Sequence, residues 1–115
     1  MQEFDIPIFK KAYELYKQFH TLGTKVPKQD RYSIFLKSEN YLLKVIEGIL
    51  KASQLGKDEK LPSLIDASSN LSLLKVFVRL MKDVKTIELK TYTSIEMDLD
   101  EIGRMLGGWI KSTKE

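Results

Sequence analysis

Lysines and arginines return at intervals of seven along the chain: Lys10 and Lys17; Lys37, Lys44 and Lys51; Lys75 and Lys82; Arg104 and Lys111, with Lys90 two such steps before Arg104. A seven-residue step returns to nearly the same face of a helix, so each series aligns ammonium groups along one side of a rod. Aligned cations neutralise phosphates; they are equally the polar positions that any bundle turns to water. The concentration is greatest early in the chain. Residues 1–55 hold eight lysines and one arginine against six acids, a net +3, whereas residues 56–115 hold ten bases against ten acids. Lys10, Lys11, Lys17, Lys25, Lys28 and Arg31 cluster there, and Lys37 and Lys44 continue the series. These eight are the candidate nucleic-acid contacts, with little sequence preference expected because phosphates carry no sequence information. Tyr13, Tyr16 and Tyr32 lie among them, either as stacking platforms for unpaired bases or as core residues.

Other chemistries find few residues. There is no cysteine and one histidine, His20, so thiolate nucleophiles, disulfides and Cys-based or multi-His metal sites are excluded. A di-metal bundle needs Glu-x-x-His pairs, and the residue three before His20 is Lys17. Gly107-Gly108 is followed by Trp109-Ile110-Lys111 rather than by a helix that points its N-terminus at a phosphate. His20 reads as a surface residue at a helix end. No catalytic residue, metal or cofactor is expected, and the chain is not expected to be an enzyme.

These side chains must be positioned by helices. With 43% hydrophobic and 30% charged residues, six glycines and three prolines, the 115-residue chain reads as one domain of long elements with few turns. Periodicity divides it into helices over about 6–22, 29–55, 63–85 and 89–111. Asp5 is the expected cap of the first, which ends at Gly23 and lines up Phe9, Ala12, Tyr16 and Phe19; Phe35, Leu42, Ile46 and Ile49 mark the second. Lys57-Asp58-Glu59-Lys60 reads as a solvated connection closed by Pro62. Short connections favour antiparallel neighbours, so the expected fold is all-α, an up-down-up-down antiparallel four-helix bundle. The opening MQEFDIPIFKK has no signal-peptide core and no apolar run approaches ~18 residues, so a cytoplasmic protein without membrane contact is expected.

The third helix carries two apolar rows. Leu64, Ala67, Leu71, Leu74, Val78 and Met81 form one; Leu73, Phe77, Leu80, Val84 and Ile87 form the other. One seam fills a bundle, so a second apolar surface implies a second neighbour. The fourth has a single seam of Tyr92, Ile95, Leu99, Ile102, Leu106 and Trp109, with Gly103, Gly107 and Gly108 around Arg104 and Trp109. A helix-interior glycine costs about 1 kcal/mol against alanine. Either Gly107 or Gly108 is a left-handed C-cap, or the glycines admit a neighbour's backbone, within the bundle or between subunits.

The segment DEIGRMLGGWIKS, Asp100–Ser112, closely resembles the C-terminal signature of the accessory variability determinant proteins of diversity-generating retroelements, a four-helix-bundle family also called bAvd-like. VPKQDRYS, Val26–Ser33, resembles that family's entry into its second helix, and LKVFVRLMKDV, Leu74–Val84, its third-helix run. The likeness covers about residues 25–112, with Phe35 standing where the pattern has a glycine. It implies a non-catalytic basic protein that forms a homopentameric barrel, associates with the retroelement reverse transcriptase, binds RNA or DNA, and supports mutagenic copying of a template RNA. Leu73, Phe77, Leu80, Gly103, Arg104, Gly107, Gly108 and Trp109 are the subunit-interface or close-packing candidates. The proteins encoded in intervening sequences of 23S ribosomal RNA genes are a related group, which would imply an interaction scaffold with no reverse-transcriptase partner.

Overall fold

The computed structural model describes residues 5–115. Its elements are α1 (Pro7–Gly23), a single turn α2 (Lys28–Arg31), α3 (Ile34–Gln54), α4 (Lys57–Asp83) and α5 (Leu89–Lys114), with no strand among the described residues. The four long helices surround one core. α3 packs on α1 and α4, and α5 packs on α4 and α1.

Residues late in α1 meet residues early in α3, where the Phe19 and Phe35 rings lie 5.8 Å apart. Across α3 and α4, Ser38 reaches Met81 while Gly48 reaches Ala67. Lys75 meets Asp100 between α4 and α5, and Lys11 meets Asp98 and Glu101 between α1 and α5. The tightest approach is at Gly48: a Cβ there would lie 2.8 Å from the Ala67 Cβ and 3.1 Å from the Ser63 carbonyl oxygen. Only a residue without a side chain lets α3 and α4 come that close.

The inner row of α4 is buried throughout, Leu64, Ala67, Leu71, Leu74, Val78 and Met81, as are Ile95, Leu99, Ile102 and Leu106 of α5. Tyr92 and Trp109, at the ends of that seam, are half-buried. Of the outer row, Phe77 is half-buried against Tyr41, while Leu73 and Leu80 are exposed, and Val84 and the nearby Val76 are 56% and 64% exposed. Leu73, Val76, Leu80 and Val84 fall within an arc of about 80° on the helix circumference.

Several expectations are corrected. The helix expected over 29–55 is broken at Tyr32 and Ser33, where Ser33 takes φ −124°, ψ −99° and donates its hydroxyl to the Gln29 carbonyl. A side chain that bonds its own backbone offers an alternative to the helical ladder. The third helix starts six residues early. The Gly56 carbonyl accepts from the amides of Glu59 and Lys60, and Asp58 and Glu59 sit in the first turn where the helix dipole favours acids. Lys57-Asp58-Glu59-Lys60 is therefore helix, and Pro62, which gives up one ladder hydrogen bond, lies within it.

At the start of α1 the cap position is Ile6, without a side-chain bond, rather than Asp5; Pro7 follows at the first helical position, where its missing N–H leaves no bond unmade. Ile87 is buried, not part of the outer row. α4 ends in a Schellman turn, Thr86 N–H to the Met81 carbonyl at 2.8 Å and Lys85 N–H to the Lys82 carbonyl at 3.1 Å, with Lys85 at φ 66°. That turn folds Ile87 inward, and the Thr86 hydroxyl donates to Asp30 at 3.0 Å. No glycine has positive φ and α5 runs on to Lys114, so neither Gly107 nor Gly108 is a left-handed cap. Among the described residues neither is closely packed, since a Cβ at either would meet nothing within 4 Å; at Gly103 it would make an ordinary 3.6 Å contact with Leu71.

Candidate nucleic-acid interface

Two of the eight candidate cations are engaged by the fold itself. The Lys11 ammonium lies 2.8 Å from Glu101 and 3.1 Å from Asp98. Its hydrogen bond to Glu101, and then that to Asp98, raise its pKa, while the same bond lowers that of Glu101. The Arg31 guanidinium donates to the carbonyls of Gly23 and Val26, at 3.1 and 3.2 Å, and so ties α2 to the end of α1. Lys10, Lys17, Lys25, Lys28, Lys37 and Lys44 are exposed. Lys17 pairs with Glu14 one turn away at 3.3 Å, an exposed contact of little energetic weight.

Three depressions run side by side, two flanking α1 and the third on α3. The first, about 670 Å³ between α1 and α5, is lined by Lys17, Lys25 and Lys90, the hydroxyls of Thr21, Thr91 and Ser94, and one acid, Glu14. Next, between α1 and α3, comes a mainly apolar groove of about 640 Å³ with Tyr13, Tyr16, His20, Leu43 and Ile46. Lys17 and Thr21 line both, because they stand on the ridge of α1 between them. Burial, with the nearby Glu39 carboxylate adding to it, pushes the Tyr16 phenol up in pKa, so it stays neutral. Tyr16 and His20 rings lie 6.5 Å apart at 31°. The third and smallest depression shares Leu43 with the second and is lined by Lys37, Asn40, Tyr41, Lys44 and Glu47. There the ammonium groups of Lys37 and Lys44 stand 5.5 and 6.0 Å from the centroid of the Tyr41 ring, within cation–π range.

Sequence reasoning did not place Lys90, Thr91 and Ser94 at this surface. Lys90 belongs to a seven-residue series, but a single helix's periodicity does not say which neighbour that face meets. Nor did it select Tyr41, which is held on the Phe77 ring at 5.4 Å.

None of the close-packing candidates lines the three depressions. Leu73 and Leu80 are exposed on α4, whereas Phe77 is half-buried against Tyr41. Arg104, Gly107 and Gly108 are exposed on α5. Trp109 packs partly on the core with the Lys60 ammonium 5.5 Å over its ring. None of the described helices is long and apolar enough to cross a membrane.

Among curated proteins no match is found. A protein-family comparison matches residues 7–113 to the family described as bAvd-like. That span takes in all three depressions and the four long helices but for the last residue of α5, and the chain belongs to the bAvd-like family.

Proposed function

We propose that this chain is a non-catalytic accessory protein of a diversity-generating retroelement. In this reading the helices form an up-down-up-down antiparallel bundle, and five copies join through the outer face of α4 and the glycine face of α5. The assembly binds RNA or DNA in the cytoplasm with little sequence preference, and it partners the retroelement reverse transcriptase in mutagenic copying of template RNA. Family membership supports the setting. The observation that carries nucleic-acid binding is the exposure of six lysines, Lys10, Lys17, Lys25, Lys28, Lys37 and Lys44, on α1, α2, α3 and the turn between α1 and α2.

A net +3 per chain is modest, but five chains carry about +15. Weak phosphate contacts then act together, because each bound site raises the effective concentration at the next. Neutralising phosphates releases counterions, so affinity for an unrelated-sequence RNA should fall about tenfold or more between 50 and 200 mM salt. An affinity flat across that range contradicts the mechanism. Co-purification with the reverse transcriptase encoded beside this chain tests the partner, and failure to retain it at low salt removes that part of the reading.

A further inference from the structure

The three depressions, two flanking α1 and one on α3, differ in lining: cations and hydroxyls beside the apolar Phe19, Leu22 and Ile95, then aromatic rings, then cations around the Tyr41 ring. They are contiguous, since Lys17 and Thr21 join the first to the second and Leu43 joins the second to the third. A backbone with its bases paired inward presents phosphates alone and has no use for the middle groove. An unpaired strand presents both. Sequence-tolerant single-strand binding combines a cationic path for the backbone with aromatic faces for the bases, and this surface offers both in the right order.

We infer that the track is a single-strand site: an unpaired polynucleotide crosses α1 and continues onto α3, with phosphates at Lys25, Lys90 and Lys17, a base against Tyr16, His20 and Leu43, and phosphates again at Lys44 and Lys37 on α3. The inference rests on the nucleic-acid reading above and adds to it the strandedness of the ligand and the path it takes. α1 is about 10–12 Å across with its side chains, so a few nucleotides span the ridge. His20 is exposed and Tyr16 half-buried, and both rings line the groove 6.5 Å apart. Glu14, the one acid in the first groove, already has Lys17 as its partner.

The test uses the full chain, an oligouridylate of about 15 nucleotides and a mixed-sequence RNA duplex of equal length, read by fluorescence anisotropy at low salt. K25E/K90E removes cations from the first groove, and K57E/K114E makes the same charge change at the other end of the molecule. The first double variant should weaken oligouridylate binding about tenfold more than the second, because it removes phosphate contacts rather than only lowering net charge. H20S, and separately Y16L, which keeps an apolar group at the half-buried site, should weaken oligouridylate binding about three- to tenfold while leaving the duplex within about twofold. Ultraviolet crosslinks from uridine should fall within residues 13–20, a readout independent of variant folding. Equal loss on single strand and duplex in the ring variants, parity of the two charge variants, or crosslinks confined elsewhere overturns the track while nucleic-acid binding stands. Wild-type protein that binds neither probe overturns both.

Discussion

The contact between α3 and α4 at Gly48 allows a sharp test of the packing. In Gly48→Ala the new methyl would sit 2.8 Å from the Ala67 Cβ, 3.1 Å from the Ser63 carbonyl and 3.4 Å from the Ala67 Cα. None of these atoms can rotate away, since all are backbone or fixed to it, so the helices must part toward the 3.5–4.0 Å at which carbon atoms rest. Overpacking of this kind costs about 1–3 kcal/mol, and separation also loosens the buried neighbours Val45, Ile49 and Leu64. Alanine returns about 1 kcal/mol through its better helix propensity. The upper part of the overpacking range applies because no rotamer relieves the clash, which leaves a net loss of about 1–2 kcal/mol. In melting temperature that is roughly 4–10 °C for a chain of this size. Urea denaturation at two protein concentrations gives the free energy and separates the change from any effect on assembly. Ala67→Gly removes the nearest obstacle, so in that background Gly48→Ala should be less harmful by about 1 kcal/mol or more. If Gly48→Ala is as stable as wild type, or if the two substitutions are additive, α3 and α4 do not approach as described.

Three further outcomes are expected. Lys85→Gly should stabilise by about 1 kcal/mol, the usual penalty of a left-handed non-glycine residue, measured by urea denaturation; an unchanged or lower stability contradicts the Schellman turn. Gly107→Ala and Gly108→Ala should each raise helix stability by up to about 1 kcal/mol in a dissociated chain yet reduce the mass of the assembly, and an unaltered mass removes those glycines from the subunit interface. Glu101 has a folded pKa below the ordinary 4.5 because Lys11 bonds its charged form, so the stabilisation from that pair is complete above 4.5 and is lost as the pH falls through the lower folded value. The stability gap between wild type and Lys11→Met should therefore be full at pH 7 and narrow progressively as the pH falls below 4.5. A gap that does not change with pH in the acid range contradicts stabilisation through the ionised pair.

The core of α4 was readable because all six residues of its inner row share one face at steps of three and four, and all six are buried. The outer row was readable for the same reason, except where the chain leaves the helix: Ile87 fits the spacing but lies beyond a turn set by one left-handed lysine, a residue type that does not announce that conformation. Gly48 sits in Val45-Ile46-Glu47-Gly48-Ile49-Leu50, where it reads as a weak point in a helix. Its necessity comes from Ala67, nineteen residues away, and no local pattern contains that pair. The conspicuous Gly107-Gly108 meets no neighbour among the described residues.

Within the candidate site, exposure of the lysines followed from spacing, but their grouping did not. Lys11 and Lys17 stand six residues apart on α1, and only the packing of α5 decides that the first is bound by Asp98 and Glu101 while the second opens onto a groove. Arg31 looks like any other early cation until the carbonyls of Gly23 and Val26 are brought within reach of its fork.

Leu73, Val76, Leu80 and Val84 form a continuous aliphatic strip in water, and the functional account depends on further copies covering it. Sedimentation equilibrium of the purified chain, repeated with V76E/L80E, tests this directly. A wild-type mass of about 66 kDa, five times the 13.3 kDa chain, falling to that of one helical chain in the double variant, is the predicted result. A wild-type mass of a single chain at high concentration contradicts it.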